Sequence, residues 1–91
     1  MSKIVFKLIL IFLFLINTAF SEVVNKIEIS GNKRISNETI IVLGQISTGK
    51  KLNDANLNAI LKDLYNTNFF SDIKVSLKNN ILNISVVENP I

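Results

Sequence analysis

Cysteine, histidine and tryptophan are absent from the 91 residues, and proline, methionine and tyrosine occur once each. Without cysteine there is no disulfide, no thiol nucleophile and no thiolate metal ligand, so the fold rests on packing alone. Without histidine the commonest general base is missing as well. The seven carboxylates are dispersed along the chain. The two most tempting, Asp63 and Asp72, fall on the polar faces of a predicted helix and a predicted strand, where solvation accounts for them. Of the three glycines, Gly44 and Gly49 lie too far from any strand-to-helix turn to form a phosphate loop, and they read as helix punctuation. These absences predict a protein that is not an enzyme and that carries no metal and no cofactor.

What the chain does have begins with a leader. Met1 to Lys7 carries two cations and no acid, and an unbroken apolar run follows from Leu8 to Ile16. A spanning helix needs about 18–20 apolar residues, roughly twice this run, which passes directly into Asn17 and Thr18. Ala19 and Ser21 then place small residues at the third and first positions before Glu22, the spacing of a secretory cleavage site. Residues 1–21 are therefore expected to be a signal peptide, cut between Ser21 and Glu22.

Removing the leader takes Lys3 and Lys7 with it, which leaves eight cations against seven anions. That near-neutral balance, with its charges scattered, offers no clustered basic face for nucleic acid. Lys50 and Lys51 read as a solvated loop. The remaining chain is the size of one small domain, in the range where burial barely exceeds the entropy of ordering, so neighbouring domains would help to stabilise it.

Hydrophobic periodicity then gives the elements. From Val23 to Ser30 the pattern alternates, with Ile27 and Ile29 on one face and Lys26, Glu28 and Ser30 on the other, the period of a half-buried strand. Gly31 and Asn32 end it in a sharp turn. Ser36 can cap a helix starting near Asn37, with Glu38 in its first turn and Ile35 stapled against Ile40. Ile40, Leu43 and Ile46 share a face, which predicts about three turns, weakened at Gly44 and stopped by Ser47-Thr48-Gly49. The device repeats at Leu52 and Asn53. The second helix carries Leu57, Ile60, Leu61, Leu64 and Tyr65 in one stripe and ends at Asn66-Thr67-Asn68.

Beyond that point the period is two, with Phe69, Ile73, Val75 and Leu77 on one face and Asp72, Lys74, Ser76 and Lys78 on the other. A two-residue turn at Asn79-Asn80 would set Leu77 opposite Leu82, Val75 opposite Ile84 and Ile73 opposite Val86. Ser76 would then face Asn83 and Lys74 would face Ser85, and a one-residue slip would set apolar residues against polar partners. Tyr65 and Phe69 are expected in the core, while Phe70 points outward. The sequons Asn37-Glu38-Thr39 and Asn83-Ile84-Ser85 are chance matches in an asparagine-rich chain. The fold class is α+β, a two-layer β-α-α-β-β domain in which two helices pack on one face of a three-stranded sheet.

The last strand is apolar on both sides at Ile81-Leu82 and Val86-Val87, which favours a central place and leaves the preceding strand as an open edge. An open edge can accept another chain's strand through main-chain hydrogen bonds that tolerate many sequences. Phe70, Asp72, Lys74, Ser76 and Lys78 are the candidate residues of this receiving edge. Lys74 and Lys78 also discourage self-pairing, so the competing reading is a blunted edge without a client.

Four segments then carry a resemblance, namely Ile27-Glu28-Ile29-Ser30-Gly31-Asn32-Lys33-Arg34-Ile35, Gly49-Lys50-Lys51-Leu52, the stretch from Leu61 to Ile73, and Val86-Val87-Glu88-Asn89-Pro90-Ile91. In this order and spacing they resemble the landmarks of a POTRA (polypeptide-transport-associated) domain. Asn68 stands where that family usually has glycine, and asparagine is well suited to positive φ. With the leader, the chain is most similar to the first POTRA domain of outer-membrane protein assembly factors. The resemblance implies a domain over residues 22–88, with 89–91 beginning a linker or a further repeat. It also implies a periplasmic location, unfolded outer-membrane protein precursors and accessory assembly lipoproteins as partners, and adjacent repeats ahead of a membrane barrel. The alternatives are a related translocation protein of the outer membrane and an FtsQ-like division protein, although the latter type usually begins with a cytoplasmic tail and here only seven residues precede the apolar run.

Cleavage before Glu22 is checked by intact-mass and N-terminal analysis of the protein recovered from cells. A mature chain starting at Glu22 is expected, and a chain retaining Met1 or the apolar run would revive the anchored alternative.

Overall fold

The computed structural model describes residues 21–90. The leader expected over residues 1–21 lies outside them apart from Ser21, as does Ile91. Seven elements follow in order: β1 (Glu22–Val23), β2 (Lys26–Ser30), α1 (Asn37–Leu43), β3 (Lys51–Leu52), α2 (Asp54–Tyr65), β4 (Phe70–Lys78) and β5 (Ile81–Glu88). Asn79 and Asn80 have φ of 54° and 63°, the left-handed pair that a type I′ hairpin turn requires and that asparagine tolerates well. The turn sets the antiparallel register of β4 on β5, with Leu77 opposite Leu82, Val75 opposite Ile84 and Ile73 opposite Val86. This is the expected pairing.

On its other side β5 pairs in parallel with β2, Ile27 against Leu82 and Ile29 against Ile84, which gives the strand order β2-β5-β4. The central strand accordingly supplies the most deeply buried side chains of the sheet, Leu82, Ile84 and Val86. Against them pack Ile40 of α1 and Ile60 and Leu64 of α2, with Leu57 and Leu61 half-buried at the margin. The two-layer α+β architecture is as the periodicity predicts.

Both helices begin at the expected caps. Ser36 accepts from the Thr39 N–H, and Asn53 and Asn56 exchange side chain to backbone bonds in a capping box, each satisfying orphan donors of the first turn. α1 is shorter than predicted, two turns instead of three. It ends because Gln45 turns left-handed at φ 53°, while Ile46 N–H donates to the Ile41 carbonyl and Gln45 N–H to that of Val42. This is a Schellman motif. Ile46 folds back into the core so closely that a Cβ on Gly44 would lie 2.8 Å from its Cδ1, and any larger residue there would have to push the Ile46 side chain aside.

The first predicted strand is in fact two. Val24 N–H donates to the Lys50 carbonyl and its own carbonyl accepts from Gly49 N–H, while Asn25 N–H donates to the Asn80 carbonyl. The chain thus changes partner at Val24, and β1 pairs antiparallel with β3 in a separate two-stranded sheet. Val24 is fully buried at this junction.

Three aromatic assignments also change. Phe70 is buried and Phe69 is 49% exposed, the reverse of the expectation. The cause is a bulge: Phe70 lies opposite Glu88 and Asp72 opposite Val87, so Ser71 is an extra residue and the alternation of faces shifts by one there. Phe70 is therefore a core residue and no part of an exposed edge. Tyr65 lies at the rim, 39% exposed, instead of in the core.

Ile84 is 1% exposed at the centre of this packing. Ile84→Ala is expected to cost about 2–5 kcal/mol and Ile84→Asp to abolish the cooperative thermal transition. A retained transition in Ile84→Asp would contradict the core described here.

Candidate functional site

An exposed strand edge is a row of backbone donors and acceptors, so the first question is which groups of β4 point away from β5. Residues along an antiparallel strand alternate between those bonded to the partner and those facing the other way. Ile73 N–H donates to the Tyr65 hydroxyl at 3.1 Å and so faces the open side. Val75 and Leu77, in phase with Ile73, present their N–H and C=O groups there too, whereas Lys74, Ser76 and Lys78 spend theirs on Ser85, Asn83 and Ile81 of β5.

The side chains of the expected edge residues divide accordingly. Asp72, Lys74, Ser76 and Lys78 are exposed on the outer face of the sheet, beside the open backbone groups, while Phe70 is not among them. Among the described residues the ion pairs are Lys26 with Glu28 and Arg34 with Glu88, so Lys74 and Lys78 face solvent as free cations. Lys74 and Ser76 also line a shallow polar depression on that face with Glu28, Ser30, Asn83 and Ser85. No group of three or more metal-ligating side chains comes together among the described residues. The arrangement offers backbone hydrogen bonds flanked by positive charge. Of the two residues at the expected cleavage site, Ser21 is exposed and Glu22 lies in β1 opposite Leu52.

Two polar features escape sequence reasoning. One is the Tyr65 hydroxyl at the β4 edge, which lies 3.4 Å from Asp72 Oδ1. The other is Glu88. Its carboxylate accepts from the N–H groups of Lys33, Arg34 and Ile35 and from Arg34 Nε at 3.3 Å. Arg34 Nη2 continues to the Asn89 carbonyl at 2.6 Å, and Asn89 is held to Phe69 and Asn68 by its N–H and its side-chain amide. The partners of Glu88 lie more than fifty residues away in sequence, so no local pattern announces them. The bond from Lys33 N–H above all, then those from Ile35 and Arg34, hold the carboxyl below its ordinary value of 4.5 against the opposing effect of burial.

Comparison with known proteins gives the family and the fold. The POTRA family model, described as "Surface antigen variable number repeat", matches residues 22–89. The outer membrane protein assembly factor BamA of Neorickettsia risticii (strain Illinois) is 38% identical over 79 residues, covering 87% of this chain and 11% of that protein. BamA of Neisseria meningitidis serogroup B (strain ATCC BAA-335 / MC58) is 31% identical over 67 residues, covering 74% and 8%. The chain thus spans about a tenth of the length of the curated relatives it matches. Among solved structures, POTRA1-2 of the periplasmic domain of Omp85 from Anabaena superposes with a TM-score of 0.68 at 16% identity, over 81% of this chain and 51% of that one. CdiB from Escherichia coli superposes with a TM-score of 0.53 at 21% identity, over 74% and 14%. These likenesses are of fold.

Because the folded state lowers the Glu88 pKa, its contacts stabilise the domain fully above the unfolded value and lose that contribution as pH falls through the folded value. Glu88→Gln is expected to lower the thermal transition near neutral pH, and the gap from the unsubstituted chain should narrow as the solution is acidified below 4.5. A gap that stays constant or widens on acidification would contradict the assignment.

Proposed function

The chain belongs to the POTRA family, and from that premise we propose that it is a non-enzymatic periplasmic module of an outer-membrane β-barrel assembly machine. In this reading the leader exports the chain and is cut before Glu22. The domain receives unfolded outer-membrane protein precursors as an added strand on the β4 edge. The observation that carries the proposal is the row of outward backbone groups at Val75 and Leu77, flanked by Lys74, Ser76 and Lys78.

Main-chain pairing suits such a role because it reads extended conformation and leaves side-chain sequence nearly free. Precursors of barrel proteins are segments of alternating polarity destined to become strands, so an edge can hold them before they pair with one another. The positive flank suits acidic or neutral clients and disfavours a second copy of the same edge. The relatives named BamA lend the assembly role, and their much greater length supports further repeats and a membrane barrel as neighbours. Docking of accessory lipoproteins belongs to the same proposal. Phe69, Val87 and Pro90, exposed where the chain leaves β5, are the apolar groups available there for a neighbouring repeat or a subunit.

Photo-crosslinkers placed at Lys74, Ser76 and Lys78 are expected to capture precursor polypeptides in cells, and those at the exposed helix positions Asn58 and Lys62 to capture several-fold fewer. Equal capture at both sets would remove the edge from the proposal.

A further inference from the structure

We infer that the Tyr65 hydroxyl caps the β4 edge and sets where an incoming strand must stop. The inference deepens the receiving-edge reading and rests on it. Of the three residues of β4 whose backbone faces outward, Ile73 has its N–H already bonded to the Tyr65 oxygen at 3.1 Å. The hydroxyl oxygen occupies the place that the carbonyl of a docking strand would take. As a hydroxyl it accepts from Ile73 and still has a proton to give, and Asp72 Oδ1, 3.4 Å away, is the acceptor on that side. The three groups form a chain from backbone N–H through hydroxyl to carboxylate.

Tyr65 closes α2, so its ring reaches the sheet edge from the helix layer, and its 39% exposure places it at the rim. Just beyond Ile73, the bulge at Ser71 breaks the ladder. Bulge and hydroxyl together blunt this half of β4, a common protection for edges, and leave Val75 and Leu77 as the open part. A client strand therefore pairs over the hairpin half and ends at Val75. To extend to Ile73 it must displace a hydroxyl that is already bonded. The residue thereby sets the end of the paired stretch on β4, independently of the client's side chains.

Tyr65→Phe keeps the ring and removes the cap. The test is residue-resolved amide hydrogen exchange on both chains, alone and with a synthetic ten-residue peptide of alternating valine and threonine ended by glutamates. Without peptide, Ile73 should exchange roughly threefold to tenfold faster in Tyr65→Phe, the equivalent of one net hydrogen bond. With peptide, Val75 and Leu77 should slow in both chains, and Ile73 should slow in Tyr65→Phe alone. Slowing at Val75 and Leu77 with Ile73 indifferent to the substitution would overturn the cap while leaving the receiving edge standing. No slowing at Val75 and Leu77 in either chain would overturn the receiving edge, and with it the limit Tyr65 sets.

Discussion

The left-handed pair Asn79 and Asn80 closes the β4–β5 hairpin in two residues, and that closure sets the register of every side chain that follows. Once Leu77 faces Leu82, the alternation carries Val75 onto Ile84 and Ile73 onto Val86, and one face of both strands becomes the floor of the core. β5 then has its far side free, and β2 joins it in parallel. A strand paired on both sides and covered by helices must be apolar along its buried face, as Leu82, Ile84 and Val86 are. The same arrangement obliges β4 to be an edge. The open edge is thus a consequence of the turn, because the turn decides which backbone groups of β4 are spent on β5 and which remain.

At its other end β5 is held by charge instead of by a turn. The Glu88 carboxylate sits among three consecutive backbone N–H groups, a nest that favours an anion, and Arg34 ties the following residue to the same loop. The approach is close enough that a Cβ at Gly31, whose φ is +87°, would fall 2.0 Å from the Val86 carbonyl oxygen; only glycine fits there. Turn and nest together fix both ends of the central strand in a domain without disulfides. They also fix the path of the chain as it leaves at Asn89 and Pro90, where Phe69 and Val87 stand exposed.

The parts legible in the sequence are those governed by local rules. Helix caps at Ser36 and Asn53, the hairpin turn and its register, and the left-handed Asn68 all follow from residues within a few positions of one another. The parts that were not legible depend on distant partners. Val24 changes strand because Gly49, Lys50 and Asn80 lie beside it, and two-residue strands such as β1 and β3 leave no periodic signal. The bulge at Ser71 exchanged the faces of Phe69 and Phe70, and with them one residue of the expected edge. Tyr65 satisfies the helical period of the buried stripe, yet it closes the helix, where its ring reaches past the core to the sheet margin. For the candidate site, the strand and its outward side chains were readable, whereas the hydroxyl bonded to Ile73 N–H was not.

The central claim is that clients are held by the outward backbone of β4 and not by its side chains. An amide-to-ester replacement at Val75, introduced by semisynthesis, removes one outward N–H, leaves every side chain in place and weakens without breaking the one ladder bond that the adjoining Lys74 carbonyl accepts from β5. The account predicts that binding of precursor strands weakens roughly threefold to tenfold, as for one lost hydrogen bond, with the thermal transition nearly unchanged. Undiminished binding by the ester-containing chain would contradict it.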